Sequence, residues 1–203
     1  VASDVTQSVA VDTRDAIISA AFGCFRTRGL AKTTIVDIAR AAGVSRSTVY
    51  EYFRDKETVV EACAEAASQR FYRNMAKAID RHGGSTLEGR LVRAAVFVTQ
   101  ARQVVEPEVY FDAAEVSLMM TKNAATLLKE CADFLAPYVT AARLTGEVRT
   151  DLDVPSATEW FARMLFSLFT TPSPTIDMRD DGAVADFVRS YVVRGFVDGP
   201  RRH

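Results

Sequence analysis

Histidine is nearly missing from this 203-residue chain: His82 stands beside Gly83-Gly84 and His203 is terminal. No internal Ser/His/Asp or Cys/His constellation can be built from them, which excludes hydrolytic triads and histidine-based metal catalysis. Cysteine is almost as scarce. Cys24, Cys63 and Cys131 are odd in number, far apart and without Cys-x-x-Cys spacing, so neither a disulfide framework nor a zinc site is indicated. They read as small buried hydrophobes in a reducing cytoplasm. Long apolar runs are also lacking, and none approaches the roughly 18 residues of a membrane span. Residues 1–12 have no basic region, apolar core or cleavage site of a secretory leader and are read as a polar, disordered arm. Phosphate-loop and paired-carboxylate signatures are absent, so an enzyme is disfavoured and no cofactor or metal is expected. Internal repeats and low-complexity tracts are absent as well.

What is present is helical periodicity from end to end, without sustained period-2 alternation, in a composition 48% hydrophobic and 25% charged. The chain reads as an all-α globular protein. Its most informative stretch is Thr34 to Lys56. Thr34 and Asp37 form a capping box, in which hydroxyl and carboxylate satisfy backbone N–H groups that otherwise lack partners. Ile35, Ile38, Ala39 and Ala42 then define one apolar face, with Asp37 and Arg40 outward. Gly43 permits the positive φ of a sharp turn, and the small Ala39, Ala41 and Ala42 allow a second helix to cross closely. In that second helix Val44, Thr48 and Val49 point inward. Ser45, Arg46, Ser47, Tyr50, Glu51 and Tyr52 are left for the outer face, short-chained and hydrogen-bonding at the end where recognition helices meet bases. Any two amphipathic helices joined at glycine share the outline of this pattern, but the charge distribution favours DNA. Residues 13–56 carry eight basic and four acidic side chains, a net +4, against −1 for the whole chain.

Phe25-Arg-Thr-Arg-Gly29, Thr33-Thr34, Ile38-Ala39, Ala42-Gly-Val-Ser-Arg-Ser-Thr-Val-Tyr-Glu-Tyr-Phe53 and Lys56-Glu57 together resemble the N-terminal domain of TetR-type transcriptional regulators. The resemblance is dense over residues 13–63. It implies a three-helix domain whose second and third helices form a helix-turn-helix. It also implies that Thr34, Ser45, Arg46, Ser47, Tyr50, Tyr52 and Lys56 touch DNA. Tyr52 and Lys56 would meet phosphates, with Arg46, Ser47 and Tyr50 nearest the bases. Two positions depart from the pattern. Val36 is apolar where some members place a base-reading arginine. Glu51 is acidic on a DNA-facing helix, where it can accept from a cytosine amino group or face solvent.

The organisation expected is a helix-turn-helix domain over 13–56, a long connecting helix over 57–83 and a larger helical bundle over 84–200. The first helix runs from Thr13 to Arg28 on Ile17, Ile18, Ala21, Phe22 and Phe25, and Asp55 caps the long helix. Ser85 with Glu88 and Ser156 with Glu159 read as further capping boxes. Glu106-Pro107 is expected to break the chain. Two helices parting near 120–122 should fill 108–144, and a last helix should run from Asp180 to Phe196.

In the bundle, Phe71, Phe97, Tyr110, Phe111, Met119, Met120, Phe134 and Trp160 are candidate pocket residues, with ordinary core packing as the alternative for each. Arg102, Gln103 and Glu115 are possible polar anchors for a mostly apolar small-molecule effector. The resemblance implies a homodimer formed through the last two helices, whose apolar face includes Phe161, Leu165, Leu168, Phe187 and Tyr191. Double-stranded operator DNA, the effector and a second copy are thus the expected partners, with no membrane. The reading is a ligand-responsive, cytoplasmic repressor. The alternative is a helical protein-interaction module with a structural helix-turn-helix.

Overall fold

The computed structural model describes the backbone of residues 2–82, 84–108, 123–171 and 173–196, and side chains within these except at 2–12 and 104–108. The described residues form helices and turns, with no β-strand among them. The helices are α1 (Ala2–Arg28), α2 (Ile35–Ala42), α3 (Arg46–Tyr52), α4 (Lys56–His82), α5 (Leu87–Glu108), α6 (Ala124–Leu144), α7 (Val154–Thr170) and α8 (Asp181–Phe187). A π turn, Val188–Val192, and a 3₁₀ turn, Val193–Gly195, continue α8. The expected helix before α6 lies outside the described residues.

The chain divides into two compact units; among the residues with described side chains the first holds 13–71 and the second 72–82, 84–103, 123–171 and 173–196. In the first, α1 contributes Ile17, Ile18, Ala21 and Phe25 from one face, α2 Ile35, Ile38 and Ala39, α3 Val49, and α4 Val59 and Cys63. Each fully buried large side chain contributes about 1.5–3 kcal/mol. Phe22, expected on the same face, is half-buried under the Arg70 guanidinium. All three cysteines are free and buried. Burial pushes the Cys63 and Cys131 thiols up to about 12, so both stay protonated and unreactive.

In the second unit α5 buries Leu87, Leu91, Ala94, Ala95 and Val98 along one face. The most extensive helix pairing among the described residues is between α6 and α7. Cys131, Leu135, Val139 and Ala142 are the buried positions of α6; Phe161, Ala162 and Leu165 are among those of α7.

Several helix ends differ from expectation. Residues 2–12 continue α1, whereas a disordered arm is the sequence expectation; no glycine or proline precedes Gly23, so no residue there breaks a helix. The α5 cap is Thr86, whose hydroxyl accepts from Gly89 N, and Leu87 N donates to the Glu147 carboxylate. That second contact crosses 60 residues and is invisible to a local motif. Glu88, freed from the expected box, pairs with Arg189. Likewise Asp153 caps α7 by accepting from Ser156 N at 2.9 Å, with proline in the first turn. Glu159 pairs one turn on with Arg163 instead. The expected break at Glu106-Pro107 does not occur, since α5 carries through Pro107 to Glu108.

The expected dimer face also divides. Phe161 and Leu165 are only 1% and 2% exposed within their own subunit, and Leu168 is buried too. Within the unit α7 packs against α6, and Phe161 also meets the Phe196 ring edge-on at 6.4 Å. Phe187 is half-buried and Tyr191 exposed. Leu165→Ala should therefore cost about 2–5 kcal/mol, the range for emptying a core leucine. Urea unfolding at several protein concentrations is the check. A loss that disappears at high concentration would return Leu165 to a subunit seam.

Candidate nucleic-acid interface

The turn from α1 into α2 is built from local chemistry. Gly29 takes φ 79° and closes α1 by donating to Phe25 O. Thr33 is buried, and its hydroxyl donates to the carbonyls of Gly29 at 2.8 Å and Cys24 at 3.2 Å. Thr34 is extended, at φ −116° and ψ 162°, and begins α2 with a reciprocal capping box. Asp37 N donates to the Thr34 hydroxyl at 3.3 Å, while Thr34 N donates to the Asp37 carboxylate at 3.0 Å. The Arg28 guanidinium meets the same carboxylate at 2.6 Å, joining the end of α1 to the first turn of α2.

Gly43 then reverses the chain at φ 70° and ψ 24°, a left-handed conformation that side-chain-bearing residues rarely adopt. Ser45 caps α3, its hydroxyl accepting from Thr48 N at 3.0 Å. The same oxygen lies 2.6 Å from the Ser47 hydroxyl and 2.9 Å from that of Thr48. Val49 is the buried anchor of α3, and Phe53 closes the helix by donating from its backbone N to Val49 O. With Val49 inward, the opposite face of this short helix is exposed.

That face carries most of the predicted residues. Thr34, Ser45, Arg46, Ser47 and Tyr50 are all exposed, and the Arg46 guanidinium lies 6.0 Å from the Tyr50 ring centre. Val36 and Glu51 are exposed too. Tyr52 and Lys56 are placed differently. Tyr52 is half-buried and packs against the core of the first unit, so its ring anchors α3. The Lys56 ammonium donates to the backbone carbonyls of Leu30 and Ala31. Lys32, counted in the sequence only as part of its charge, and Arg40, expected outward on α2, are further exposed cations of the same unit. Their signal is position: Arg40 lies one helical turn after Val36 on the outward side of α2.

The candidate effector residues do not assemble into one aromatic cavity among the described residues. Phe134 stacks on Tyr72 at 5.1 Å and lies 5.8 Å from Tyr138, over which the Arg90 guanidinium sits at 5.7 Å. Trp160 packs separately against Phe196 at 5.9 Å and stays 40% exposed. Phe71 and Phe97 are half-buried. Tyr110, Phe111, Met119, Met120 and Glu115 lie outside the described residues. Arg102 and Gln103 join Thr99 and residues 173–179 around an open cleft of about 530 Å³, where the Gln103 amide donates to Met178 O. The Tyr72, Tyr138 and Arg90 ladder is the feature that sequence reading missed. Its members come from three helices, and nothing in local spacing links them.

Residues 17–63 match the family model described as bacterial regulatory proteins, tetR family. Over 61 residues the chain is 43% identical to the HTH-type transcriptional regulator TtgR of Pseudomonas putida, covering 30% of this chain and 29% of that protein. The chain thus matches less than a third of that relative's length. The HTH-type transcriptional regulator AlkX of Mycobacterium tuberculosis is 25% identical over 179 residues, 87% of this chain and 82% of that one. Among solved structures, the TetR family repressor AlkX of a Dietzia species has a TM-score of 0.62 at 21% identity. That likeness covers 91% of this chain and 97% of the other, and extends the shared fold into the second unit.

The capping box carries a pH signature. The Asp37 carboxyl is held below its ordinary value of 3.8, first by the Thr34 hydroxyl, then by the Thr34 amide, with Arg28 and Arg40 adding attraction. A carboxylate with a lowered folded value stabilises above the unfolded value, and that contribution is lost as pH falls through the folded one. The N-terminal unit should weaken on acidification through the carboxylate range, and Asp37→Asn should flatten part of that dependence. Thermal unfolding across that range is the measurement. Superimposable profiles for the two proteins would remove Asp37 as a source of the acid sensitivity.

Proposed function

Because the chain belongs to the TetR family of bacterial regulatory proteins, we propose that it is a dimeric transcriptional repressor, released from a palindromic operator by a mostly apolar small molecule. The observation that carries the DNA half of this reading is the exposed Arg46, Ser47 and Tyr50 face of a helix whose other side is anchored by buried Val49 and half-buried Tyr52. The face opposite these anchors carries no core contact and is left to the surface. Arginine there can donate two hydrogen bonds to a guanine edge, and the serine hydroxyl can serve either base.

One such helix covers only a few base pairs, so a two-fold protein reading a two-fold site is the economical arrangement. Among the described residues, the exposed large apolar side chains of α7 and of α8 with the turns that continue it are Trp160, 40% exposed, and Tyr191, 74% exposed, with half-buried Phe187 5.5 Å from Tyr191. These three support a subunit seam better than the buried Phe161, Leu165 and Leu168. The apolar character of the effector is supported by the half-buried aromatics of the second unit. It also agrees with the described role of the Dietzia repressor, which is implicated in biodegradation of n-alkanes.

Selection from random duplex DNA should enrich an imperfect palindrome. Arg46→Ala should cost about 1–3 kcal/mol on that sequence and relax the preference at its base. Enriched sequences without dyad symmetry, or an Arg46→Ala protein that selects the same sequence equally well, would defeat the assignment. The effector half is tested by calorimetry with long-chain alkanols and fatty acids. By linkage, a true effector must lose affinity in the presence of the selected duplex by the factor it takes from DNA binding, typically about 5–150 fold. Equal affinity in both titrations disqualifies the compound.

A further inference from the structure

A lysine at the start of a helix needs a reason, because the positive end of the helix dipole disfavours cations there. Lys56 is the first residue of α4. Its ammonium donates to Leu30 O at 2.5 Å and to Ala31 O at 3.4 Å, across 26 and 25 residues of sequence. Both carbonyls belong to the connection between α1 and α2, and the side chain that reaches them is half-buried. The carbonyls of Cys24 and Gly29 are already taken by the Thr33 hydroxyl. Between them, Thr33 and Lys56 therefore anchor four carbonyls at the end of α1 and in the connection. The near end of the tether is fixed as well. Asp55 accepts from Thr58 N at 2.9 Å, while Asp55 N donates to the Thr58 hydroxyl at 3.2 Å. The far end leads within three residues to Thr34, the cap of α2.

We propose that Lys56 is a positioning residue, tying the start of α4 to the α1–α2 connection and thereby setting the Thr34 end of α2 against DNA, instead of serving as a phosphate ligand. The proposal rests on the DNA-binding reading above. An ammonium has three donors and no acceptor, and two of its donors are spent on backbone carbonyls. Hydrogen bonds from a charged donor are shorter and roughly twice as strong as neutral ones. These two bonds hold the ammonium toward the α1–α2 connection, with one donor left over. A shift of the first turn of α4 pulls directly on residues 30–31, and through them on the capping box.

Salt dependence separates the two roles, since each phosphate contact adds about 0.9 to the slope of log K against log salt. The full chain, its Lys56→Met variant and its Lys56→Arg variant are compared on the duplex selected by the unsubstituted protein. Amide hydrogen exchange is followed on the free proteins at Thr34, Asp37 and Ile38. Lys56→Met should speed exchange at these amides at least tenfold, leave the helical amides of α1 unchanged, and weaken DNA binding about tenfold at unaltered slope. Lys56→Arg, which can also donate to carbonyls, should restore both. If Lys56→Met does not fold, Lys56→Gln takes its place. A slope smaller by about 0.9 with unchanged exchange makes Lys56 a phosphate ligand and overturns the proposal. Faster exchange with unchanged DNA affinity overturns it too, since the tether would then have no bearing on DNA. A protein that enriches no duplex at all refutes the DNA reading itself, while the exchange measurements still decide the tether.

Discussion

The crossing of α2 over α3 depends on burying Ile38, Ala39 and Val49 on either side of Gly43, and the surface offered to a nucleic acid follows from it. Val49 is the buried residue of α3, so it decides the rotation of that helix about its axis. With Val49 inward, Arg46 and Tyr50 must face outward, one turn apart and close enough for the guanidinium to lie over the ring. A polar residue at 49 would free the helix to roll. A residue with a Cβ at 43 would strain the turn, because φ 70° is a glycine conformation.

Around that small core the polar contacts act as pins. Surface ion pairs contribute little on average, and Arg28 with Asp37 is best read as a geometric link between two helices. The buried Thr33 hydroxyl and the Lys56 ammonium do the same for the connection leading into α2. Such contacts define where α2 begins, and hence where its N–H groups point. The same logic recurs in the second unit. There Glu147 meets the first amide of α5, and Gln100 bonds to Asp181 at 2.7 Å, joining that helix to α8.

The second unit shows how a strong apolar stripe can mislead. Phe161, Leu165 and Leu168 repeat at helical spacing and resemble a seam, yet α7 spends them on its own unit. The exposed aromatics Trp160 and Tyr191 are flanking positions that periodicity ranks second. In the same way, the large apolar residues proposed for a cavity separate into a Tyr72, Phe134 and Tyr138 ladder and a distinct Trp160 and Phe196 contact.

The first three helices, the Thr34 and Asp37 box, the Gly43 turn and the outward Arg46, Ser47 and Tyr50 were legible in the residues alone, because each rests on contacts within a few positions. Helical period, caps and left-handed glycines are local events, and local chemistry writes them into sequence. The fates of Tyr52 and Lys56, the cap on α5 and the burial of α7 were not legible. Lys56 and the α5 cap depend on partners 25 or more residues away, and Tyr52 and α7 on packing that local spacing does not encode. A side chain's type limits what it can bind. Only the packed chain determines which acceptor comes within reach, and the Lys56 ammonium is held by two carbonyls of the α1–α2 connection.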